Sequence, residues 1–240
     1  MRAKFINEAI KPDRELFEQF KQIFHEVKES NTNDPFFELN EKLNPLGIFL
    51  VDYKQHFDSI PASERANFSR SNMMPELGIR IMGFDPDTKQ LFIVCDDSFD
   101  DNFVRFPIVR LNDLLNRMWS AFGHETIHMQ QVNKMKTTQE TDFSSMEDYY
   151  KDKQEMMAMA FSFIEEMRQF HTDEEIMDVL RTGKALPPPP PPGMPRGFRP
   201  PSFMAPPPMQ HPLYKIYKDF GGDAYKLFTK YAYKYLTQNE

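Results

Sequence analysis

Cysteine is almost missing from this chain: Cys95 stands alone among 240 residues. A single thiol excludes an internal disulfide framework and fits a reducing compartment. It closes the apolar run Leu91-Phe92-Ile93-Val94-Cys95, so it reads as a buried, inert thiol. Also missing is any run near the ~18–20 apolar residues of a membrane span. The opening Met1-Arg2-Ala3-Lys4-Phe5-Ile6-Asn7-Glu8 lacks the apolar core of a signal peptide. Positive charge is in deficit, with 29 Lys and Arg against 36 Asp and Glu and a net charge of −7. That balance argues against a basic surface for nucleic acid or anionic membrane, and neither partner is expected. No internal repeat is visible. The expectation is a soluble cytoplasmic protein with one sizeable domain or two small ones.

What is present centres on His124-Glu125-Thr126-Ile127-His128, inside the run Leu111 to Lys136. Leu111, Leu114, Leu115, Met118, Trp119, Phe122, Ile127, Met129 and Val132 recur there at steps of three and four. This periodicity predicts one long amphipathic helix. Four residues turn a helix by about 400° and raise it ~6 Å, so His124 and His128 stand one above the other. Two imidazole nitrogens on one face can reach one tetrahedral metal, whereas Glu125, ~100° away, can act on a water beside it. This is the H-E-x-x-H arrangement of zinc hydrolases. The plainer reading makes the histidines ordinary core or surface groups.

Two histidines do not complete a metal site. Glu155 follows His128 by 27 residues, in a stretch from about Asp148 to Phe170 that also reads as a helix. Glu155, Ala158, Met159 and Ser162 share a face by helical spacing. Small side chains there let a second helix come close while a carboxylate reaches across. The plainer alternative is a solvated Glu on a Met-rich core helix.

These two segments together resemble the gluzincins, zinc metallopeptidases whose third ligand is a Glu on the helix after H-E-x-x-H. The chain is most similar to the small, minimal members often carried by tailed bacteriophages. In those a Tyr precedes Glu-x-x-Ala-x-Ala, and Tyr150, Glu155, Ala158 and Ala160 stand in those places. Gln130 and Gln131 look like the family's usual continuation after the second His. The resemblance covers roughly residues 77 to 182. Many larger gluzincins carry an Asp four residues after the ligand Glu to hold the first His; here Met159 stands there, so the partner of His124 is unassigned.

The resemblance implies an α+β, zincin-like fold with a small antiparallel or mixed sheet, an active-site helix and a ligand-bearing helix. It implies Zn²⁺ held by His124, His128 and Glu155, Glu125 as general base, and a peptide or protein substrate. Tyr149, Tyr150 and His171 are candidate oxyanion stabilisers. The setting it implies is a host cytoplasm or a virion. The rival reading is a non-enzymatic phage structural or interaction protein with a vestigial zincin core. Glu125 separates the two, because a structural metal has no need of the adjacent carboxylate.

Around the motif, Pro12 to Lys28 predicts a helix with the stripe Leu16, Phe17, Phe20, Ile23, Phe24 and Val27, Pro12 suiting its first turn. His25 beside it reads as structural. Glu29 to Pro35 reads as a polar connector, Leu46 to Val51 as a buried strand, and Lys54 to Pro75 as loop. Leu77 to Phe84 and Leu91 to Cys95 form an expected hairpin across the turn Asp85 to Lys89. Asp96, Asp97, Asp100 and Asp101 do not match the twelve-residue calcium loop and read as a solvated loop. Thr172 and Glu175 form a capping box for a helix that Gly183 stops.

Between Pro187 and Pro212, 13 of 26 residues are proline. The stretch reads as a polyproline II spacer, with a P-x-x-P role toward a partner domain as the sharper alternative. Helical pattern returns in two pieces around Gly221-Gly222, with Leu213, Ile216, Tyr217 and Phe220 as one stripe and Leu227, Phe228, Tyr231 and Tyr235 as the other. Their lysines read as a solvated face. The expected division is a metallopeptidase domain at 1–186, a linker at 187–212, and a helical segment at 213–240 docking back on the domain.

Overall fold

The first helix begins at Arg14 rather than at Pro12, because Asp13 caps it: its Oδ1 accepts from the Leu16 amide at 2.9 Å. A carboxylate at that position satisfies an amide that the helix itself cannot pair. In the computed structural model, which describes residues 10–54, 73–135, 145–185 and 210–237, this helix, α1, spans Arg14–Ser30 and buries Phe17, Phe20, Phe24 and Val27. Contacts divide the chain into two compact units, residues 12–139 and residues 1–11 together with 140–240.

In the first unit the polar connector leads into a helix that hydrophobic patterning alone passes over. Asp34 caps it and Pro35 opens it, giving α2 at Pro35–Leu43, with Leu39 and Leu43 buried. The sheet has three strands, β1 (Ile48–Asp52), β2 (Ile79–Asp85) and β3 (Gln90–Cys95), in the order β1-β3-β2. β2 and β3 form the expected hairpin, and β1 lies parallel to β3, so the sheet is mixed. Asp85 holds the turn by accepting from the Asp87 amide at 2.9 Å. The Phe92 ring lies over Gly83, where a Cβ would force that ring to move. Cys95 is buried, and burial pushes its thiol well above the ordinary range.

Two expectations need correction here. The acidic segment is loop only at Asp96 and Asp97: α3, Phe99–Arg105, buries Phe99 and Phe103 and carries Asp100 and Asp101 in its first turn. Negative charge is favourable at that end of a helix. Asp96 pairs with Arg80 Nε at 2.9 Å, and Asp100 accepts from the Phe36 amide at 2.7 Å. The long helix around the motif is also two helices, α4 (Ile108–Arg117) and α5 (Trp119–Met135). Met118 between them has ψ −14 and donates its amide to the Leu115 carbonyl, three residues back, at 2.9 Å. That tightened turn breaks the hydrogen-bond ladder without breaking the stripe. Leu111, Leu114, Leu115, Met118, Phe122 and Ile127 are all buried.

α5 packs on α1 and on β2 and β3. Its hold on α1 is aromatic: Phe122 lies 5.0 Å from Phe17 and 5.2 Å from Phe20, and Trp119 lies 4.9 Å from Phe17, between ring centroids. Residues 55–72, which contain most of the expected loop from Lys54 to Pro75, lie outside the described residues.

The second unit is helical among its described residues: α6 (Met146–Lys151), α7 (Lys153–Arg168), α8 (Asp173–Thr182), α9 (Pro212–Phe220) and α10 (Gly222–Thr237). The Thr172–Glu175 capping box forms, and Gly183, at φ 69, ends α8. Residues 186–209, nearly all of the proline-rich stretch, lie outside the described residues. The helices after it pack back on α7. The face α9 buries is rotated from the expected stripe, onto Tyr214 and Tyr217. Phe163 of α7 meets Tyr214 and Phe228 at 5.7 and 5.6 Å, and Tyr217 stacks on Phe228 at 4.1 Å. Arg168 ties the far end of α7 to Asp173 and to the Leu236 carbonyl. Among the described residues no helix is long and apolar enough to cross a membrane.

Because Phe122 joins α5 to α1 through a fully buried ring, Phe122→Ala should cost about 3–5 kcal/mol of stability. Urea unfolding followed by circular dichroism reads this directly. A midpoint unchanged from wild type would show that the aromatic contacts do not hold α5.

Candidate metal centre

The residues between the two histidines fasten α5. Thr126 is buried; its hydroxyl donates to the Gly123 carbonyl at 3.0 Å and accepts from the Asp13 amide at 3.2 Å. Ile127 sits in the core. With these two turned inward, the rotation of the helix fixes where His124, Glu125 and His128 fall.

His128 is 2% exposed, and His124 and Glu125 are half-buried. The two imidazoles lie one turn apart with centroids 4.8 Å apart and planes at 66°. Their Nε2 atoms face each other at 3.1 Å. Nitrogens bound at about 2.0–2.1 Å to one tetrahedral ion would be roughly 3.3–3.4 Å apart, so this separation suits a shared metal. Two imidazole lone pairs at that distance repel unless one proton or one cation stands between them. The other nitrogen of His128, Nδ1, is 2.9 Å from Oε1 of Gln131.

Glu155 belongs to the other unit. The expected helix from Asp148 to Phe170 is broken at Asp152, whose extended backbone (φ −62, ψ 135) ends α6 and caps α7. Its carboxylate accepts from the amides of Gln154 at 2.8 Å and Glu155 at 3.1 Å. Glu155 therefore sits at the third position of α7, near the positive end of the helix dipole, and is 3% exposed. The expected small-residue face is not distinct, because every residue from Glu155 to Ile164 is buried. α7 is the core helix of its unit and is covered all round.

Met159, which stands where larger gluzincins carry an Asp, is engaged otherwise: the buried Tyr217 hydroxyl donates to its sulfur at 3.2 Å. Burial, and after it the charge of Glu155, pushes the Tyr217 hydroxyl far above its ordinary range, so Tyr217 stays neutral. Sequence reasoning missed both Asp152 and Tyr217. The Asp-x-x-Glu spacing of Asp152 and Glu155 was the available signal for the first. Tyr217 had none, since it arrives from 62 residues further along the chain than Glu155.

Tyr149 and Tyr150 stand half-buried on α6, just before α7, with rings 5.5 Å apart. Tyr150 packs edge-on against Tyr217 at 6.2 Å. His171 lies beyond the other end of α7, with Nδ1 3.6 Å from Glu175. The helical rise from Glu155 to that end is roughly 20 Å. His25 pairs with Asn112 at 2.8 Å, a structural contact between α1 and α4.

Comparison with known proteins returns no matching family model, no matching curated protein and no matching solved structure.

Asp152 fixes the backbone that carries Glu155, so Asp152→Ala should lower stability by about 1 kcal/mol, whereas Asp152→Asn, which still caps, should recover most of it. Amide hydrogen exchange at Gln154 and Glu155 should accelerate in the Ala variant alone. Equal exchange in all three proteins would remove Asp152 from the positioning of Glu155.

Proposed function

We propose that the chain is a zinc-dependent metallopeptidase of zincin-like type, in which His124, His128 and Glu155 hold the ion and Glu125 is the general base. The observation that carries this reading is the pair of imidazole nitrogens 3.1 Å apart on successive turns, with Glu125 next in sequence. Glu155, buried at the third position of α7, supplies the carboxylate that the reading requires. The donor set fits: two imidazoles and one carboxylate are the three protein ligands of a catalytic zinc, whereas structural sites close all four positions, commonly with cysteine. Zinc held there supplies a Lewis acid that polarises a carbonyl and lowers the pKa of a water toward ~7.

The remaining work falls to the protein's own groups. The Glu125 carboxylate takes a proton from the attacking water and returns it to the leaving amine nitrogen. A phenolic hydroxyl from Tyr149 or Tyr150, on the turn before the Glu155 helix, donates to the oxygen that gains charge. The substrate is a peptide or protein, and the setting is the cytoplasm, in keeping with a single buried thiol. A proline-rich segment at 187–212 would serve as spacer or as ligand for a partner domain.

Glu125→Gln separates an enzyme from a vestige. The amide is nearly isosteric but does not accept the proton, so hydrolysis should fall at least ~10²-fold, the lower end of what general acid–base catalysis contributes. Fold and zinc content should be unchanged. The assay is a mixed-peptide library incubated with zinc-loaded protein and read by mass spectrometry. Undiminished cleavage by the Gln variant removes Glu125 from the mechanism. Absence of cleavage by the wild type favours the non-enzymatic reading.

A further inference from the structure

We infer that Gln131 is the positioning residue for His128: it holds the imidazole in the Nδ1–H tautomer, so that Nε2 presents its lone pair toward the ion. The inference rests on the reading of His128 as a ligand.

Gln131 follows His128 by three residues on α5, the spacing at which helix side chains meet. It is fully buried, a rare environment for a carboxamide, and its Oε1 lies 2.9 Å from Nδ1 of an equally enclosed imidazole. A carbonyl oxygen only accepts, so the ring nitrogen facing it must donate. A neutral imidazole has one N–H, which leaves Nε2 as the lone-pair nitrogen. That nitrogen is the one that faces His124 at 3.1 Å. Free histidine favours the opposite tautomer, so Gln131 reverses an intrinsic preference before any ion arrives.

The choice of an amide also has a consequence. A carboxylate in this place would make the ligand more basic but would bury a charge. Gln131 orients the ring without adding charge among Thr126, Ile127 and the core beneath them. Its neutrality also leaves the imidazole a weaker donor than one backed by a carboxylate, so more of an ion's Lewis acidity is retained for substrate.

Two measurements on the full-length chain test this. In metal-free protein with nitrogen-15-labelled imidazoles, long-range proton–nitrogen correlation reads each tautomer, and the His128 signals are identified by their loss in His128→Ala. The wild type should show Nδ1–H, Gln131→Leu should shift toward Nε2–H, and Gln131→Glu, which keeps an acceptor, should return to Nδ1–H. Zinc titration against a chromophoric chelator should show affinity weakened about 10–100-fold in Gln131→Leu, with no such weakening in Gln131→Glu. An Nε2–H His128 in the wild type overturns the inference and needs no variant to fold. Unchanged zinc affinity in a folded Gln131→Leu overturns it too, since a residue that only fills space would alter melting and nothing else. Failure of the wild type to take up zinc would sink the metallopeptidase reading, and the tautomer measurement would still decide what Gln131 does.

Discussion

Two imidazole nitrogens facing each other at 3.1 Å, one of them backed by a buried carboxamide, are the constraint on which this structure turns. In water such a pair would separate and each nitrogen would find its own hydrogen bond. Here the separation is prevented from below. Thr126 and Ile127 occupy the inward face of α5, and Phe122 locks the preceding turn into the aromatic cluster with Phe17 and Phe20. Burial of those rings stabilises the domain, and by the geometry of the helix it also sets the rotation at which His124 and His128 emerge. The same contacts therefore serve packing and site.

Glu155 is prepared in a different way. A carboxylate that is 3% exposed is costly to keep charged unless something compensates. Part of the compensation is local: Asp152 starts the helix so that Glu155 falls at its third position, beside amides whose dipoles favour negative charge. Tyr217, on which the charge of Glu155 acts, is held in its protonated form by burial.

Much of this was legible in the chain. The histidine spacing, the hairpin of β2 and β3, the capping box at Thr172 and the stop at Gly183 all follow from local rules, and local rules leave marks in sequence. What was not legible has common causes. The break at Met118 leaves the hydrophobic stripe intact, so periodicity reads straight through it; only the backbone records the change. At Asp152 the chain leaves helical geometry for one residue, and the capping pattern competed with a strong helical composition on both sides. α2 and α3 are short and rich in Asp, Asn and Phe, a composition that resembles loop until Asp34 is seen as a cap and Phe99 and Phe103 as core. The role of Tyr217 depends on a contact 58 residues away, with Met159, and no local pattern announces such a contact.

Whether His124, His128 and Glu155 bind one zinc, as proposed, is read most directly by elemental analysis combined with X-ray absorption at the zinc edge on purified protein. The prediction is near-stoichiometric zinc per chain, a nitrogen and oxygen shell at about 2.0–2.1 Å with imidazole scattering, and loss of most of the metal in His128→Ala. Zinc fully retained in that variant, or a sulfur shell at about 2.3 Å, would contradict it.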